Sequence, residues 1–323
     1  MAVYTQLSAE DLATLIARYD VGELVSAKGI AEGVSNSNWL IETSGSASND
    51  KRFILTMYER RIDIAELPFF LGLLDHLSSH GAPVPRTIHD REGAASRELD
   101  GKAVALIEFL PGVSVDHPTP AQARNVGAVL AQMHQAAQDY PARRANDLGP
   151  ATSAQVLTDC GEEALAAIDP ALPASLGEAQ RVAANWPQGL PRSIIHSDLF
   201  PDNVLMLGDK VSGLIDFYFA CHDAMAYDLA VTHAAWSFAD YGRSYRADIG
   251  EALVAGYETV RVLEEAEKSA LPLLAQGAAM RFVSSRAQDW IETPADALVT
   301  RKDPMDFMRR FDFYKREGAQ VFG

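Results

Sequence analysis

Apolar positions near the start of the chain recur at helical spacing. Leu12, Leu15 and Ile16 follow Ser8, which can cap a helix carrying Asp11 at its third position. Three short strand-like runs come next, at 25–31, 39–43 and 53–57. The stretch 33–38, Gly-Val-Ser-Asn-Ser-Asn, reads as a loop joining the first two, and the small polar stretch 44–50 reads as a hairpin loop. Residues 63–80 read as a helix ending near Gly81, and 87–89 and 102–109 read as further strands. Leu110-Pro111-Gly112 then breaks the pattern.

After Pro118 the spacing becomes helical and Ala-rich, over 120–138, 153–168 and 176–185. A strand-and-turn region, 193–216, interrupts it, and helices resume from Tyr227. The expected organisation is an α+β fold with a β-rich N-terminal lobe, residues 1–110, and a mainly helical C-terminal lobe, residues 111–323, hinged near 109–112.

Composition narrows the function classes. Hydrophobic residues make up 48% and charged residues 22%, as in a soluble globular protein. Two cysteines, Cys160 and Cys221, cannot build a disulfide framework and fit a reducing cytoplasm. No apolar run approaches the ~20 residues of a membrane span, and the first residues lack the basic start of a signal peptide. A cytoplasmic location without membrane contact is expected. A net charge of −16 argues against a nucleic-acid partner, which calls for a basic face. It leaves a local nucleotide site open, since Mg²⁺ neutralises much of the phosphate charge there. Oligomeric state is not legible.

The chemistry concentrates in one segment. His196-Ser-Asp-Leu-Phe-Pro-Asp-Asn203 is followed by Leu214-Ile-Asp216-Phe217. Asn203 opens one apolar strand and Asp216 closes the next, so a hairpin between them would bring an amide and a carboxylate to its open end. Oxygen donors of that kind suit Mg²⁺. The Asp198-to-Asn203 spacing matches a kinase catalytic loop, with Asp198 as base and an Asn five residues on as metal ligand. An Asp/Asn-rich turn is the bland alternative, but three fitting residue types at fitting spacings favour phosphoryl transfer from ATP.

Here the chain resembles the aminoglycoside phosphotransferase and choline kinase superfamily, which has the protein-kinase-like two-lobe fold. The resemblance spans nearly the whole chain, including Ile107 to Gly112 (IEFLPG) and 215–230 (IDFYFACHDAMAYDLA). It implies that Asp198 orients the substrate hydroxyl and takes its proton, and that Asn203 and Asp216 hold Mg²⁺. It also implies that Glu108 and Leu110 offer backbone groups to adenine, and that His196 and Asp228 support the catalytic loop. More narrowly, Glu32 to Trp39 (EGVSNSNW), Phe53 to Glu59 (FILTMYE), HSDLFPDN and Arg281 to Arg286 (RFVSSR) resemble the homoserine kinase branch. L-homoserine as the acceptor, in threonine biosynthesis, is what that likeness implies. Choline, methylthioribose or an aminoglycoside are the rival acceptors, and a catalytically dead nucleotide-binding module is the rival of another class.

Kinases carry a Lys on the third strand; here that position is Thr56, and Glu66, a plausible helix partner, lacks its cation. Lys28, Arg60 and Arg61 are substitutes at best. Gly33, Ser35, Asn36, Ser37 and Asn38 could cover the phosphates with backbone N–H groups and hydroxyls. Trp236 and Tyr218 are candidate pocket walls. Arg281 and Arg286 could grip a substrate carboxylate. They are five apart on one helix, about 140° around it, so they should have different tasks. Arg286 falls on the apolar stripe of Ala275, Ala279, Phe282, Val283 and Trp290, and Arg281 beside Ala278, Ser285 and Gln288. An interior Arg there would meet either the substrate or a structural carboxylate such as Asp228.

Overall fold

The computed structural model describes residues 7–30, 36–45, 51–59, 63–293 and 301–323. The chain falls into two compact units, one of Met1–Val113 with Ser212–Tyr218 and one of Ser114–Val211 with Phe219–Gly323. The change of unit thus comes after Val113 rather than after Leu110, and 212–218 returns to the first unit.

In the first unit, helix α1 (Ala9–Ile16) starts at Ser8, whose Oγ accepts the Asp11 N–H at 3.1 Å. The strands are β1 (Leu24–Ile30), β2 (Asn36–Thr43), β3 (Arg52–Tyr58), β4 (Thr87–Ile88), β5 (Arg97–Leu99) and β6 (Lys102–Glu108), with helix α2 (Leu67–Ser79) inserted between β3 and β4. They form an antiparallel sheet in the order β1-β2-β3-β6-β4, with β5 paired to β6. Side-chain alternation sorts β3 and β6 into two layers. Leu55, Met57, Val104 and Leu106 pack with Leu12, Leu15 and Ile16 of α1. Tyr58, Ala103, Ala105 and Ile107 pack with Leu67 and Leu71 of α2. Both faces are covered, which explains why these strands read as near-continuous apolar runs. Each large side chain buried in this way contributes about 1.5–3 kcal/mol.

Asn36, Ser37 and Asn38, expected in a loop, are instead strand residues paired with Tyr58, Met57 and Thr56. The ladder continues through them because backbone pairing does not require apolar side chains. Gly33, Ser35, Arg60 and Arg61 lie outside the described residues.

The second unit contains helices α3 (Pro120–Ala136), α4 (Pro150–Cys160), α5 (Glu162–Ile168) and α6 (Ala174–Ala184), then strand β7 (Arg192–Ile195). A hairpin of β8 (Val204–Leu207) and β9 (Lys210–Leu214) turns at Gly208, where φ is +63°. Strand β10 (Cys221–Ala224) leads into α7 (Met225–Trp236). A short hairpin, β11 (Phe238–Ala239) with β12 (Ser244–Tyr245), precedes α8 (Ala247–Glu258), α9 (Glu265–Glu292) and α10 (Met305–Phe322). The single helix expected over 153–168 is broken at Gly161, whose φ of +80° suits glycine. Every residue of α7 is buried, so it forms the centre of this unit. Helices α3 and α8 approach closely at Gly256, where a Cβ would lie 1.9 Å from the Arg124 carbonyl oxygen.

Candidate active site

Strand β7 pairs antiparallel with β10, Ile195 opposite Cys221, and the chain leaves β7 directly into His196-Ser197-Asp198. Ser197 has a left-handed backbone, φ +68°, a conformation that costs a non-glycine residue about 1–2 kcal/mol. Asp228, in the first turn of α7 and fully buried, holds it there. Its carboxylate accepts the backbone N–H groups of His196 at 2.7 Å and Ser197 at 2.6 Å, and faces His134 Nε2 at 2.9 Å. Burial pushes this carboxyl up, but the bonds from His134 and from the His196 backbone bring it below its ordinary value. His134 Nδ1 in turn meets the Tyr257 hydroxyl at 2.9 Å. Three elements, α3, α7 and α8, thus fix two residues of the loop.

Arg281 of α9 secures the same loop from another side. It is 4% exposed, and its guanidinium donates to the Ser197 carbonyl and, at 3.1 Å, to Ser197 Oγ. Its other nitrogen lies 3.6 Å from Asp198 Oδ1. Trp236 is buried in α7 and donates its indole N–H to the Leu199 carbonyl at 2.9 Å, so it packs under the loop. His196 is fully buried and its Nδ1 accepts the Asp198 N–H at 3.2 Å.

Asp198 therefore sits on a backbone held at His196, Ser197 and Leu199. Burial raises its pKa, against the opposing charge of Arg281. Asn203 Nδ2 donates to the Asp198 carbonyl at 2.8 Å, which leaves the amide oxygen as the end able to meet a hard cation. In the first unit, Asp216 also has a left-handed backbone, φ +65°, and its charge helps to raise the Tyr58 and Tyr218 hydroxyl pKa values, after burial.

Tyr218 lies in the packing of the first unit, edge-on to Tyr58 and Phe70, with its hydroxyl 3.1 Å from that of Tyr58. Thr56 is 3% exposed and donates to Asn38 Oδ1 at 2.8 Å, so the position of the kinase lysine holds a neutral pair. A Lys–Glu pair does exist nearby, Lys102 with Glu59. It cannot stand in for the missing lysine, because alternation puts Lys102 in register with Val104 and Leu106, on the face opposite Thr56 and Ala105. Lys28 is exposed, and Glu66 ends the short 3₁₀ turn before α2. Glu108 closes β6 and donates its N–H to the Arg86 carbonyl at 3.0 Å; Leu110 follows outside any helix or strand.

Arg286 lies about 1.4 turns beyond Arg281 on α9 and has different partners. It donates to the Asp303 carbonyl at 3.0 Å and to Asp306 Oδ2 at 3.1 Å. Neither Arg pairs with Asp228, whose oxygens are taken by backbone N–H groups and His134. Arg281, expected beside polar neighbours, is the more buried of the two.

A model of a phosphotransferase enzyme family matches residues 26–263. A homoserine kinase from a Caulobacter species is 48% identical, over 100% of this chain and 99% of its own. Those of Xanthobacter autotrophicus and Gluconobacter oxydans are 44% and 48% identical, covering 100% and 98% of this chain and 99% and 98% of theirs. Among solved structures, an amicoumacin kinase matches with a TM-score of 0.68 and 13% identity, over 97% of this chain and 94% of that one. Choline kinase from Cryptosporidium parvum matches with 0.64 and 12%, over 97% and 96%. The structural matches establish the protein-kinase-like fold. The chain belongs to the phosphotransferase enzyme family and, within it, to the homoserine kinases.

Proposed function

We propose that the protein transfers the γ-phosphoryl group of ATP to the hydroxyl of L-homoserine, giving O-phospho-L-homoserine and ADP. The observation that carries this reading is the loop bearing Asp198, fixed by Asp228 and Arg281, in a chain 44–48% identical to homoserine kinases along their length. Asp198 orients the acceptor hydroxyl and takes its proton as the O–P bond forms. Its raised pKa makes it a stronger base than an exposed carboxylate.

Asn203 and Asp216 are the residues that would hold Mg²⁺. Their donors fit a hard cation, since the Asn203 amide nitrogen is spent on the loop and both residues offer oxygen. Bound there, the metal would supply charge neutralisation for the phosphates. Glu108 and Leu110 receive adenine through backbone groups. Gly33, Ser35, Asn36, Ser37 and Asn38 would meet the phosphates through backbone N–H groups and hydroxyls; the side chains of Ser37 and Asn38 are also bonded within the sheet, to Glu59 and Thr56. Trp236 and Tyr218 shape the site only through packing. Arg281 acts through the loop it holds, and Arg286 is the better candidate to meet substrate.

A coupled ADP-release assay with L-homoserine, choline, methylthioribose and kanamycin tests this reading. Homoserine should exceed every other alcohol in kcat/KM by at least about tenfold. A preference for choline or kanamycin would assign another acceptor, and ADP release with none of the four would support the inactive-module reading.

A further inference from the structure

Beyond the catalytic loop, α9 and α10 bury more positive charge than their own carboxylates neutralise. Arg286, Arg309 and Arg310 converge on this region. Asp306 serves two of them, with Oδ2 3.1 Å from Arg286 and Oδ1 3.3 Å from Arg309. Asp303 adds an ion pair at 3.9 Å, again with Arg309. Arg310 is left without a carboxylate in ion-pair range among the described residues. It is 9% exposed, it donates one Nη to the Ala234 carbonyl at 2.8 Å, and its Nε has no hydrogen-bond partner among the described residues. Burial and the charge of Arg286 lower its pKa to about 10. A guanidinium kept this dry calls for an anion that the described residues do not supply.

The position of this charge points to what that anion is. The guanidinium groups of Arg286 and Arg310 both pack on the ring of Phe307, at 4.6 and 4.1 Å. Phe307 touches Phe282 at 4.6 Å and Phe200 at 6.0 Å between ring centroids. Phe200 is two residues from Asp198 in the catalytic loop. Arg286 feels the charge of Asp198 itself. The cationic excess is therefore joined to the proposed base by one aromatic cluster. An acceptor whose hydroxyl meets Asp198, and which carries its own carboxylate a few bonds away, matches that layout.

We propose that Arg310 and Arg286, seated on Phe307, form the seat for the α-carboxylate of the acceptor and thereby select hydroxy amino acids over neutral alcohols. This rests on the homoserine reading and assigns a residue, Arg310, that sequence patterns did not single out. The planar fork of a guanidinium suits a carboxylate, and Phe307 fixes the plane in which each fork lies.

The test compares L-homoserine with L-homoserinol, which has a CH₂OH group in place of the carboxylate. The full-length protein is assayed for ADP release at saturating ATP. Wild type should favour homoserine strongly. Arg310→Met should reduce the homoserine-to-homoserinol ratio of kcat/KM by at least about tenfold, the value of a charge-assisted hydrogen bond. The loss should lie in the KM for homoserine and not in that for ATP. Arg310→Lys retains the charge and protects against a folding defect; it should still raise the homoserine KM several-fold, because an ammonium cannot make the two-pronged contact. Equal losses on both alcohols would make Arg310 a structural residue and overturn the seat. So would an unchanged ratio in the Lys variant together with either an unfolded or an unchanged Met variant. A wild type that prefers homoserinol would instead overturn the homoserine reading itself.

Discussion

The kinase-lysine position of the first unit and the Asp198 loop of the second treat buried polar groups in opposite ways. In the first, the position where kinases carry a lysine is neutral, with Thr56 bonded to Asn38 and Tyr58 to Tyr218. In the second, the buried groups are ionic: Asp228 with His134 and two backbone N–H groups, and Arg281 with Ser197 and Asp198. A neutral buried hydrogen bond is worth about 1 kcal/mol net, and breaking a buried charge pair costs about 3–5 kcal/mol. The second unit thus places strong interactions on a loop strained at Ser197, while the ion pairs of the first, Arg97 with Asp90 and Lys102 with Glu59, leave the Thr56 position neutral.

The most severe way to break this contrast is at the base. Asp198→Asn should lower kcat by about three orders of magnitude, at the upper range of general-base contributions, with a melting temperature within a few degrees of wild type. Retention of more than about a tenth of kcat would exclude Asp198 as the essential base. Next in size is Asp228→Asn. The amide keeps the shape but turns an NH₂ toward donors that need an acceptor. It should cost about 3–5 kcal/mol in urea unfolding and lower kcat by about a hundredfold, as the left-handed Ser197 relaxes. A loss below about 1 kcal/mol would show that Arg281 and Trp236 hold the loop without it.

Much of this was legible in the sequence where one local segment carried the signal. The catalytic loop, most of the strands and the helical second unit all follow from spacing within ten to twenty residues. What escaped was assembled from far apart. His134 and Asp228 are 94 residues from each other, and nothing around His134 marks it as more than one polar residue on an apolar helix face. The suggestion that an interior Arg would pair with Asp228 failed because backbone N–H groups occupy that carboxylate, and backbone donors leave no sequence signature. The helical wheel separates Arg281 from Arg286, and the two meet different partners, but it could not see that the loop of Asp198 covers Arg281. The two-residue strands β11 and β12 are too short for alternation to show.

A smaller effect is expected at the neutral site. Thr56→Lys inserts a longer chain at a 3% exposed position and removes the bond to Asn38. It should cost about 1–3 kcal/mol of stability through overpacking. Activity should remain within about tenfold of wild type and the ATP KM should fall, since the ammonium restores the cation that other kinases place there. Complete loss of ATP binding, measured by calorimetry, would show that the neutral network itself shapes the nucleotide site.

The smallest effect concerns a buried group that stays neutral in the ionic unit. His233 of α7 is fully buried; its Nδ1 meets the Tyr314 hydroxyl at 2.7 Å, and its Nε2 has no hydrogen-bond partner among the described residues. Gly250 crowds that nitrogen, since a Cβ there would lie 2.5 Å away. Burial alone lowers its pKa to about 3. The ordinary imidazole value is about 6.5, so between those limits the unfolded chain binds the proton and the folded chain does not. The stability that this site contributes is fully present above about pH 6.5 and falls as pH drops toward 3. At pH 5.5 the loss is about one pK unit, or about 1.4 kcal/mol, relative to pH 7.5. His233→Phe removes the titration and keeps a ring of similar size. Its unfolding free energy should therefore decline less than that of wild type between pH 7.5 and 5.5, by about that amount. Parallel declines in the two proteins would mean that His233 accepts a proton in the folded state.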